Sequence, residues 1–372
     1  MANRDPHILI LTNPEDLHSF VAAEALRRKG VRVSLWHGSD FPSRQVGSFW
    51  ANDETSQWEV LGPELELVGS ALSAVWLRRP GDPVLSDDID PADRQFALRE
   101  CRAFLNGLYR RVGAEAFWVN PLPSFGRANL KIEQIRSASR AGIKIPRTLF
   151  SNDPRRIREF VGAMSGRVIY KSFYPASWQK TDGVAVLFSS PIEERDLPED
   201  SILQSTPGIF QEAVPKAYEL RVTAMGAHLF AAKLDSQAVP SARLDFRAAT
   251  SPVPIEPVEL PTSLGRACRR VMRDLGIVFG CFDLIVTPQG EYVFLEVNEM
   301  GAFIWIEEQD PQFKLVDAFC EFLIQGSPDF RWDRSLATVD LLDVYATALY
   351  EMRSVATQNH VGRTPDAVRD DD

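Results

Sequence analysis

One stretch near the C-terminal end, residues 277–307, constrains the fold of this chain more than any other. It reads IVFGCFDLIVTPQGEYVFLEVNEMGAFIWIE, so two apolar, β-rich runs flank a Pro-Gln-Gly turn. This pattern predicts a β-hairpin. Because strand side chains alternate between faces, Glu296 and Asn298 share one face, and a two- or four-residue loop places Asp283 on the same face of the partner strand.

The predicted hairpin gathers three oxygen-bearing side chains, those of Asp283, Glu296 and Asn298, on an otherwise apolar sheet. Two buried carboxylates without a partner are costly, so a cation is expected between them. Oxygen ligands on a rigid sheet suit Mg²⁺, which also shares its coordination positions with water and phosphate. The alternative is an ion pair between one of the carboxylates and an Arg or Lys from elsewhere. The three side chains together favour the metal site.

The composition is that of a globular protein, with 45% apolar and 25% charged residues in a chain of 372 residues. This length allows two or three domains. The formal net charge of −10 argues against a nucleic-acid partner, because such proteins neutralise phosphates with basic side chains. The four cysteines are scattered and lack metal-binding spacing, which indicates free thiols in a reducing compartment.

The start of the chain shows no signal peptide, and no apolar run is long enough to span a bilayer. We therefore expect a cytoplasmic protein without a membrane partner.

The N-terminal part begins with a β-α-β pattern: the strand HILILT, a helix that ends at Gly30, and the strand VRVSLW. This order predicts a parallel sheet. No glycine-rich loop follows the first strand, so this part is expected to be a scaffold rather than a nucleotide site. Arg78 and Arg79 end a later strand, and two interpretations stay open for them. They bind an anionic ligand or acidic peptide, or they are solvated.

The hairpin residues carry a family resemblance. An Asp on one strand followed by Glu-x-Asn on the next resembles the magnesium and nucleotide signature of the ATP-grasp ligases. More narrowly, FLEVNEMGAFIWIEEQ resembles the matching segment of the ligases that make graspetides such as microviridins. That branch usually has Pro-Asn after the Asn, whereas this chain has Glu299 and Met300, a departure that leaves the metal ligands intact. The Arg-Arg-Pro run, a long helix at 91–112 and the F-W-x-N-P pattern resemble the same branch.

The resemblance implies a fold of the α/β (α+β) class, the ATP-grasp fold, in four parts. An N-terminal βαβ parallel-sheet domain is expected at residues 1–125 and a small central domain at 126–207. An antiparallel-sheet domain with the metal site is expected at 208–326. A C-terminal helix and a tail that we expect to be disordered make up residues 327–372.

The resemblance also assigns nucleotide contacts. Lys131 matches a helix pattern whose lysine contacts phosphates, although a lone helix lysine is ordinarily solvated. Lys171 lies among Ile, Tyr and Phe in a predicted strand, where an ammonium needs a counter-charge that a phosphate of ATP would supply. Glu219 or Glu212 is expected on a ribose hydroxyl. The backbone expected to bind adenine belongs to Gln211, Glu212, Ala213 and Val214.

Two arginines are implied near the reacting groups. Arg221 occupies the position of an arginine beside the transferred phosphate; the alternative is an edge-strand arginine paired with Asp235. Arg247, in a Pro- and Ser-rich loop, is a candidate for holding the acyl phosphate or an acidic side chain. The polar segment 174–183 resembles a flap that closes over the nucleotide.

The function implied by the resemblance is an ATP- and Mg²⁺-dependent carboxylate ligase. Its substrate would be a ribosomal precursor peptide with a leader segment, in which Asp or Glu side chains are phosphorylated and joined to Thr, Ser or Lys side chains. The family suggests a homodimer. Two alternatives stay open: a ligase for a small molecule or amino acid, and a nucleotide-binding protein without turnover.

Overall fold

The computed structural model of the protein describes residues 6–69, 71–174, 177–180, 183–186 and 189–357. The predicted disorder of the tail after residue 357 falls outside the described residues. So does part of the predicted flap, of which two strands are described.

The N-terminal region contains a parallel sheet, a small antiparallel sheet and two helices. Its elements are β1 (His7–Thr12), α1 (Leu17–Arg28), β2 (Arg32–His37), β3 (Val46–Ala51), β4 (Ser56–Gly62), β5 (Leu65–Val68), β6 (Ala74–Leu77), α2 (Arg94–Val112) and β7 (Phe117–Val119). The parallel sheet has the order β2-β1-β6-β7, and β3-β4-β5 form the antiparallel one. The predicted β-α-β start and parallel sheet are therefore confirmed.

The central region has a four-stranded antiparallel sheet of order β12-β9-β13-β8 and a separate hairpin of β10 and β11. Its elements are α3 (Lys131–Ala141), β8 (Thr148–Ser151), α4 (Pro154–Ala163), β9 (Val168–Lys171), β10 (Ser177–Lys180), β11 (Gly183–Val186), β12 (Ser190–Ile192), α5 (Asp200–Ser205) and β13 (Gly208–Glu212).

The C-terminal region is built on a five-stranded antiparallel sheet of order β16-β15-β14-β17-β18. Its elements are β14 (Tyr218–Met225), β15 (His228–Leu234), β16 (Ile255–Pro257), α6 (Thr262–Leu275), β17 (Phe279–Val286), β18 (Tyr292–Asn298), α7 (Ile304–Gln309), α8 (Leu315–Gln325) and α9 (Leu341–Thr357). The predicted hairpins across residues 225–228 and 286–292 are both present.

One face of the five-stranded sheet is closed by α3 and α6. Both helices end at a glycine in the left-handed conformation, Gly142 with φ +84° and Gly276 with φ +76°, a conformation that favours glycine. Buried side chains under these helices alternate along the strands, with Leu220 and Val222 on β14 and Phe282 and Leu284 on β17. The intervening residues must therefore point to the opposite face, where the candidate site lies.

The last helix, α9, packs against α1 of the N-terminal region. An ion pair of 2.7 Å between Arg27 Nη1 and Glu351 Oε2 lies along this contact. The C-terminal helix thus lies against the N-terminal region. Among the described helices, none combines the length and the apolar composition that crossing a bilayer requires.

Candidate functional site

Three charged side chains stand in one row across the five-stranded sheet. Arg221 on β14 is directly opposite Asp283 on β17, and Asp283 is directly opposite Glu296 on β18. Residues opposite each other in antiparallel strands share a face, so the three side chains share the face that α3 and α6 leave free. This row gathers two acids and one base on three adjacent strands, β14, β17 and β18.

A β-bulge decides which residue faces Asp283. The turn between the paired residues Val286 and Tyr292 has five residues, rather than the two or four predicted. With a regular ladder leading from that turn, Asp283 would face Leu295. The register instead shifts next to Asp283, and Glu296 takes the opposing position. The predicted loop length is wrong, and the predicted common face of the carboxylates arises through the bulge.

Arg221 is paired with Asp283, so the alternative of a pair with Asp235 is wrong. Its Nη1 donates to both carboxylate oxygens of Asp283 at 2.9 Å, and its Nη2 donates to the Ala302 carbonyl at 2.8 Å. Burial raises the pKa of Asp283 against the pull of Arg221. Although burial acts to lower it, the pKa of Arg221 is raised by the charge of Asp283. The arginine therefore stays charged.

Lys131 lies against the second carboxylate. Its Nζ is 2.5 Å from Glu296 Oε2, which joins the first turn of α3 to the end of β18. The charge of Lys131 holds the pKa of Glu296 far below its usual range. Burial lowers the pKa of Lys171, which lies at the end of β9. The negative charge of Glu296 acts against this lowering. Both predicted lysines therefore act electrostatically on one carboxylate.

A cleft opens between the central sheet and the five-stranded sheet, and most of the predicted site residues line it. They are Lys171, Gln211, Glu212, Ala213, Val214, Glu219, Arg247, Asp283 and Glu296. Lys131, Arg221 and Asn298 are outside this lining, although the first two are bonded to its carboxylates. The Asn298 Oδ1 accepts the Met300 N–H at 3.0 Å. The structure thus brings nine of the twelve predicted residues to one cleft, and two more, Lys131 and Arg221, contact its carboxylates.

The predicted adenine-binding strand ends at the mouth of this cleft. Gln211 is buried, and its Nε2 donates to Thr148 Oγ1 at 3.0 Å, whereas its Oε1 has no partner among the described residues. Glu212 is held by Arg147, whose hydrogen bonds lower the pKa of the carboxyl. Glu219 pairs with Lys216 at 2.8 Å, and burial raises its pKa. Either acid remains a candidate for a ribose hydroxyl.

Arg247 is fixed by an acid of its own loop. Its Nε and Nη2 donate to the two carboxylate oxygens of Asp245 at 2.9 and 2.8 Å. Although burial acts to raise it, the pKa of Asp245 is lowered to about 2 by these hydrogen bonds. The charges of Glu296 and Asp283 also act on Arg247. The guanidinium is thus pre-oriented at the cleft, a condition for stabilising developing negative charge.

Sequence reasoning missed several residues of the cleft wall. They are Lys216, Gln237, Arg243, Asp245 and Phe246. Asp245 could have been found from its spacing of two residues from Arg247, which suits a local ion pair. The others come from loops, where no periodic pattern marks which side chains turn inward.

Two further side chains, those of Glu299 and Arg78, are buried next to the candidate site. Glu299 Oε1 accepts from Asn129 Nδ2 at 2.8 Å and from the Gly126 N–H at 3.3 Å, and burial raises its pKa to about 7. Arg78 is 1% exposed and pairs with Asp16, so the interpretation of Arg78 as a solvated arginine is wrong. Within the described ranges, no three or more His, Cys, Asp or Glu side chains cluster as a metal site. The predicted site instead combines two carboxylates with an amide.

Residues 7–125 match a family model described as the MvdD pre-ATP grasp domain. No curated protein sequence matches the chain. Among solved structures, the chain is similar to the macrocyclase MdnC bound with precursor peptide MdnA from Microcystis aeruginosa MRC. The identity is 28%, the match covers 86% of this chain and 99% of that one, and the TM-score is 0.74.

Two further structures share the fold. One is a RiPP-associated ATP-grasp ligase from Chryseobacterium gregarium in complex with ADP and a leader and core peptide. It is 23% identical, with 90% of this chain and 100% of that chain covered and a TM-score of 0.77. The other is the ATP-grasp ligase PsnB complexed with minimal precursor, Mg and ADP. It is 24% identical, with 88% and 99% covered and a TM-score of 0.65.

Proposed function

We propose that this chain, which is similar to ATP-grasp ligases of the graspetide type, closes macrocycles in a ribosomally made precursor peptide with consumption of ATP. A side-chain carboxylate of an Asp or Glu in the peptide attacks the γ-phosphorus of ATP, giving an acyl phosphate and ADP. A Thr or Ser hydroxyl, or a Lys amine, then attacks the acyl carbon. Phosphate leaves, the nucleophile loses its proton, and an ester or amide closes the ring.

One observation carries this proposal. One cleft is lined by the strand end at residues 211–214, by the cations Lys171 and Arg247, and by the carboxylates Asp283 and Glu296. Phosphoryl transfer needs little covalent help from a protein and depends on positioning and on charge stabilisation. A cleft with bases and acids on facing sheets supplies both.

The nucleotide would lie with its adenine against the backbone of residues 211–214 and its ribose near Glu219 or Glu212. Lys171, whose burial disfavours the free ammonium, would gain a counter-charge from a phosphate. Lys131 would reach the phosphates from the first turn of α3. Each of these contacts is a proposal that rests on the place of the residue in or beside the cleft.

The two carboxylates and the amide of the predicted metal site fit a magnesium ion. Asp283, Glu296 and Asn298 offer only oxygen atoms, as Mg²⁺ prefers, and the low pKa of Glu296 keeps that ligand ionised. These three residues would hold the ion, which when bound would offset the charge of the phosphates. Lys131 balances Glu296 in the protein described here, so a divalent ion would compete with an existing cation for that carboxylate.

Two arginines would act on the acceptor. Arg247 is turned toward the cleft by Asp245 and would bind the acyl phosphate or the acidic side chain of the peptide. Arg221, held by Asp283 and the Ala302 carbonyl, would stabilise the transferring phosphoryl group. Fixed cations of this kind need no reorganisation when the charge develops, which is the source of their catalytic value.

The peptide partner is proposed to carry a leader segment as well as a core. The support comes from the similar ligases, one bound with its precursor peptide and one with a leader and core peptide. We also propose the division into parts 1–125, 126–207, 208–326 and 327–372, and a homodimer. Light scattering of the purified protein would test the dimer directly.

The experiment that tests the function is an intact mass measurement of a precursor peptide encoded next to this gene, incubated with the protein, ATP and Mg²⁺. Loss of one water per crosslink, dependent on ATP, is the expected result. The matched control is the Glu296→Gln variant, which should leave the peptide mass unchanged. An unchanged peptide with the wild-type protein, together with ADP release on addition of a small amine or amino acid, would replace the proposal with a small-molecule ligase.

A further inference from the structure

Arg78 is a buried cation of the N-terminal sheet that the proposed chemistry does not use. It follows the last residue of β6, and its Nε donates to Asp16 Oδ2 at 3.0 Å. Thr12 Oγ1 donates to the same oxygen at 3.2 Å. A buried guanidinium needs a partner of opposite charge, and Asp16 is that partner on the Nε side of Arg78. The Nη1 side points away from this pair to a different part of the chain.

The partner of Nη1 is the carbonyl of Met300, in the loop that joins β18 to α7. We call residues 298–303 the β18–α7 loop. The same loop carries the Ala302 carbonyl that accepts from Arg221. Two arginines, one from the parallel sheet and one from the five-stranded sheet, therefore bind carbonyls two residues apart. Arg221 is in turn the partner of Asp283.

The β18–α7 loop has little freedom to move independently. The Met300 N–H donates to Asn298 Oδ1, and the Phe303 N–H donates to His18 Nε2 at 3.3 Å. At Gly301, a Cβ atom would lie 2.4 Å from the Cβ of Cys281, so the loop backbone is pressed onto β17. A shift at Met300 must therefore be passed on to Asn298 and to the Ala302 carbonyl.

We propose that Arg78 is a positioning residue of the ligase reaction, which through the Met300 carbonyl fixes the β18–α7 loop and with it Asn298 and Arg221. This inference rests on the proposed function for its reaction and on the hydrogen bonds above for its geometry. It gives the N-terminal region a part in catalysis without any contact with nucleotide or peptide. The requirement is for the planar fork of arginine, which serves Asp16 and Met300 at once.

The test compares Arg78→Lys with wild type. Lysine keeps the positive charge next to Asp16. Its single ammonium nitrogen replaces the separate Nε and Nη1 donors that bind Asp16 and the Met300 carbonyl. We expect kcat for ADP formation with the peptide to fall by about tenfold or more, because small misplacements of reacting groups have large effects. The KM for ATP should change by a smaller factor than kcat, since the adenine strand at 211–214 is untouched. The Asp16→Asn variant keeps the hydrogen bond from Arg78 Nη1 to the Met300 carbonyl and removes only the charge of the partner on the Nε side. It should therefore lower kcat less.

The matched control is Lys29→Met. Lys29 forms an ion pair with Asp317 at 2.6 Å, also buried and also between distant segments, but its bonds go to Asp317, Glu321 and Thr338 rather than to the β18–α7 loop. It should lower the unfolding temperature as much as Arg78→Lys while leaving kcat near wild type at a temperature where both are folded. Equal losses of kcat in the two variants would reduce Arg78 to a structural residue and overturn the proposal.

Two readouts do not depend on peptide turnover. Hydrogen exchange of residues 299–303 should become faster in Arg78→Lys, with the amides of β14 unchanged. The gain in ADP affinity on adding Mg²⁺ should shrink, because Asn298 is less well oriented. If the wild-type protein modifies no peptide, the proposed function fails and these two measurements still decide on Arg78. Unchanged exchange together with an unchanged effect of Mg²⁺ would contradict its positioning role.

Discussion

Lys131 and Glu296 are joined by an ion pair of 2.5 Å between Nζ and Oε2, which connects the start of α3 to the end of β18. The pair places a cation where the proposed phosphates and the proposed metal would meet. It also explains how a carboxylate can be kept ionised in the wall of the cleft, since the lysine charge lowers its pKa.

Lys131→Met should weaken nucleotide binding. Removing the ammonium takes away a cation for the phosphates and leaves Glu296 with less compensation, so we expect the KM for ATP to rise by about tenfold. Steady-state kinetics of ADP release measure this. Lys144→Met is the control, because Lys144 is paired with Glu291 on the exposed turn side of the same sheet. A similar rise in both variants would speak against a phosphate role for Lys131.

Glu296→Gln should abolish turnover while the protein stays folded. The amide keeps the size of the side chain but loses the charge that a divalent ion needs, so we expect kcat to fall by roughly a hundredfold or more. Far-UV circular dichroism and the peptide mass would be recorded on the same sample. Glu291→Gln, in the turn of the same hairpin, should behave as wild type. Full activity of Glu296→Gln would remove the metal assignment.

The Glu299 carboxyl should make stability depend on pH. Its pKa rises from 4.5 to about 7 on folding, chiefly through burial, so the folded state binds its proton more tightly than the unfolded state. The stabilisation is complete below pH 4.5 and is lost as the pH rises through 7. Glu299→Gln keeps an acceptor for Asn129 and should be more stable than wild type at pH 8 by up to about 3 kcal/mol.

Urea denaturation at pH 4.5, 6 and 8 would measure this difference, with the pH values bracketing the shift of Glu299. The gap between the variant and wild type should widen with pH. A gap that stays constant across the series would show that the carboxyl does not titrate in this range.

Asp317 should give the opposite dependence. Although burial acts to raise it, the pKa of Asp317 is lowered from 3.8 by Lys29 and by the N–H groups of Thr338 and Val339. Its contribution is therefore present above pH 3.8 and lost as the pH falls through the lower folded value. Asp317→Asn should cost roughly 2 kcal/mol at pH 7, because it removes one of the two carboxylates that Lys29 binds and leaves Glu321 as the other.

The cost of Asp317→Asn should shrink below pH 3.8, where wild type loses the same charge. Thermal or urea denaturation at pH 7 and pH 3 provides the two values, with Asp329→Asn as an exposed control in a nearby loop. An equal cost at both pH values would mean that the carboxylate charge is not what holds the loop.

Local patterns were sufficient for the outline of the site. Alternation along the strands predicted that Glu296 and Asn298 share a face, and the position of Lys171 among apolar residues predicted a cation removed from bulk water at the end of β9, where the structure has it partly buried. The ATP-grasp fold predicted from the family resemblance is confirmed by the structural matches. These features depend on residues close in sequence or on a motif.

The predictions that failed concern contacts between segments that are distant in sequence. The pairing of Arg221 with Asp283 rather than Asp235 follows from β14 lying between β15 and β17, an order that no single strand encodes. The bulge near Asp283 is a property of the pairing between β17 and β18, which neither strand encodes alone. The burial of Arg78 could not be predicted because its partners, Asp16 and the Met300 carbonyl, are far away in sequence.

Asn120 has a consequence for how such enzymes can be recombined. Its amide donates to the carbonyls of Phe279 and Glu299 and accepts from the N–H groups of Val278 and Phe279. One side chain from the end of the N-terminal region thus satisfies four backbone groups at the ends of β17 and β18. A chimera that exchanges the first 125 residues with those of a relative would need to supply an equivalent amide at this seam, or the β17–β18 hairpin would be left with backbone groups at its ends unpaired.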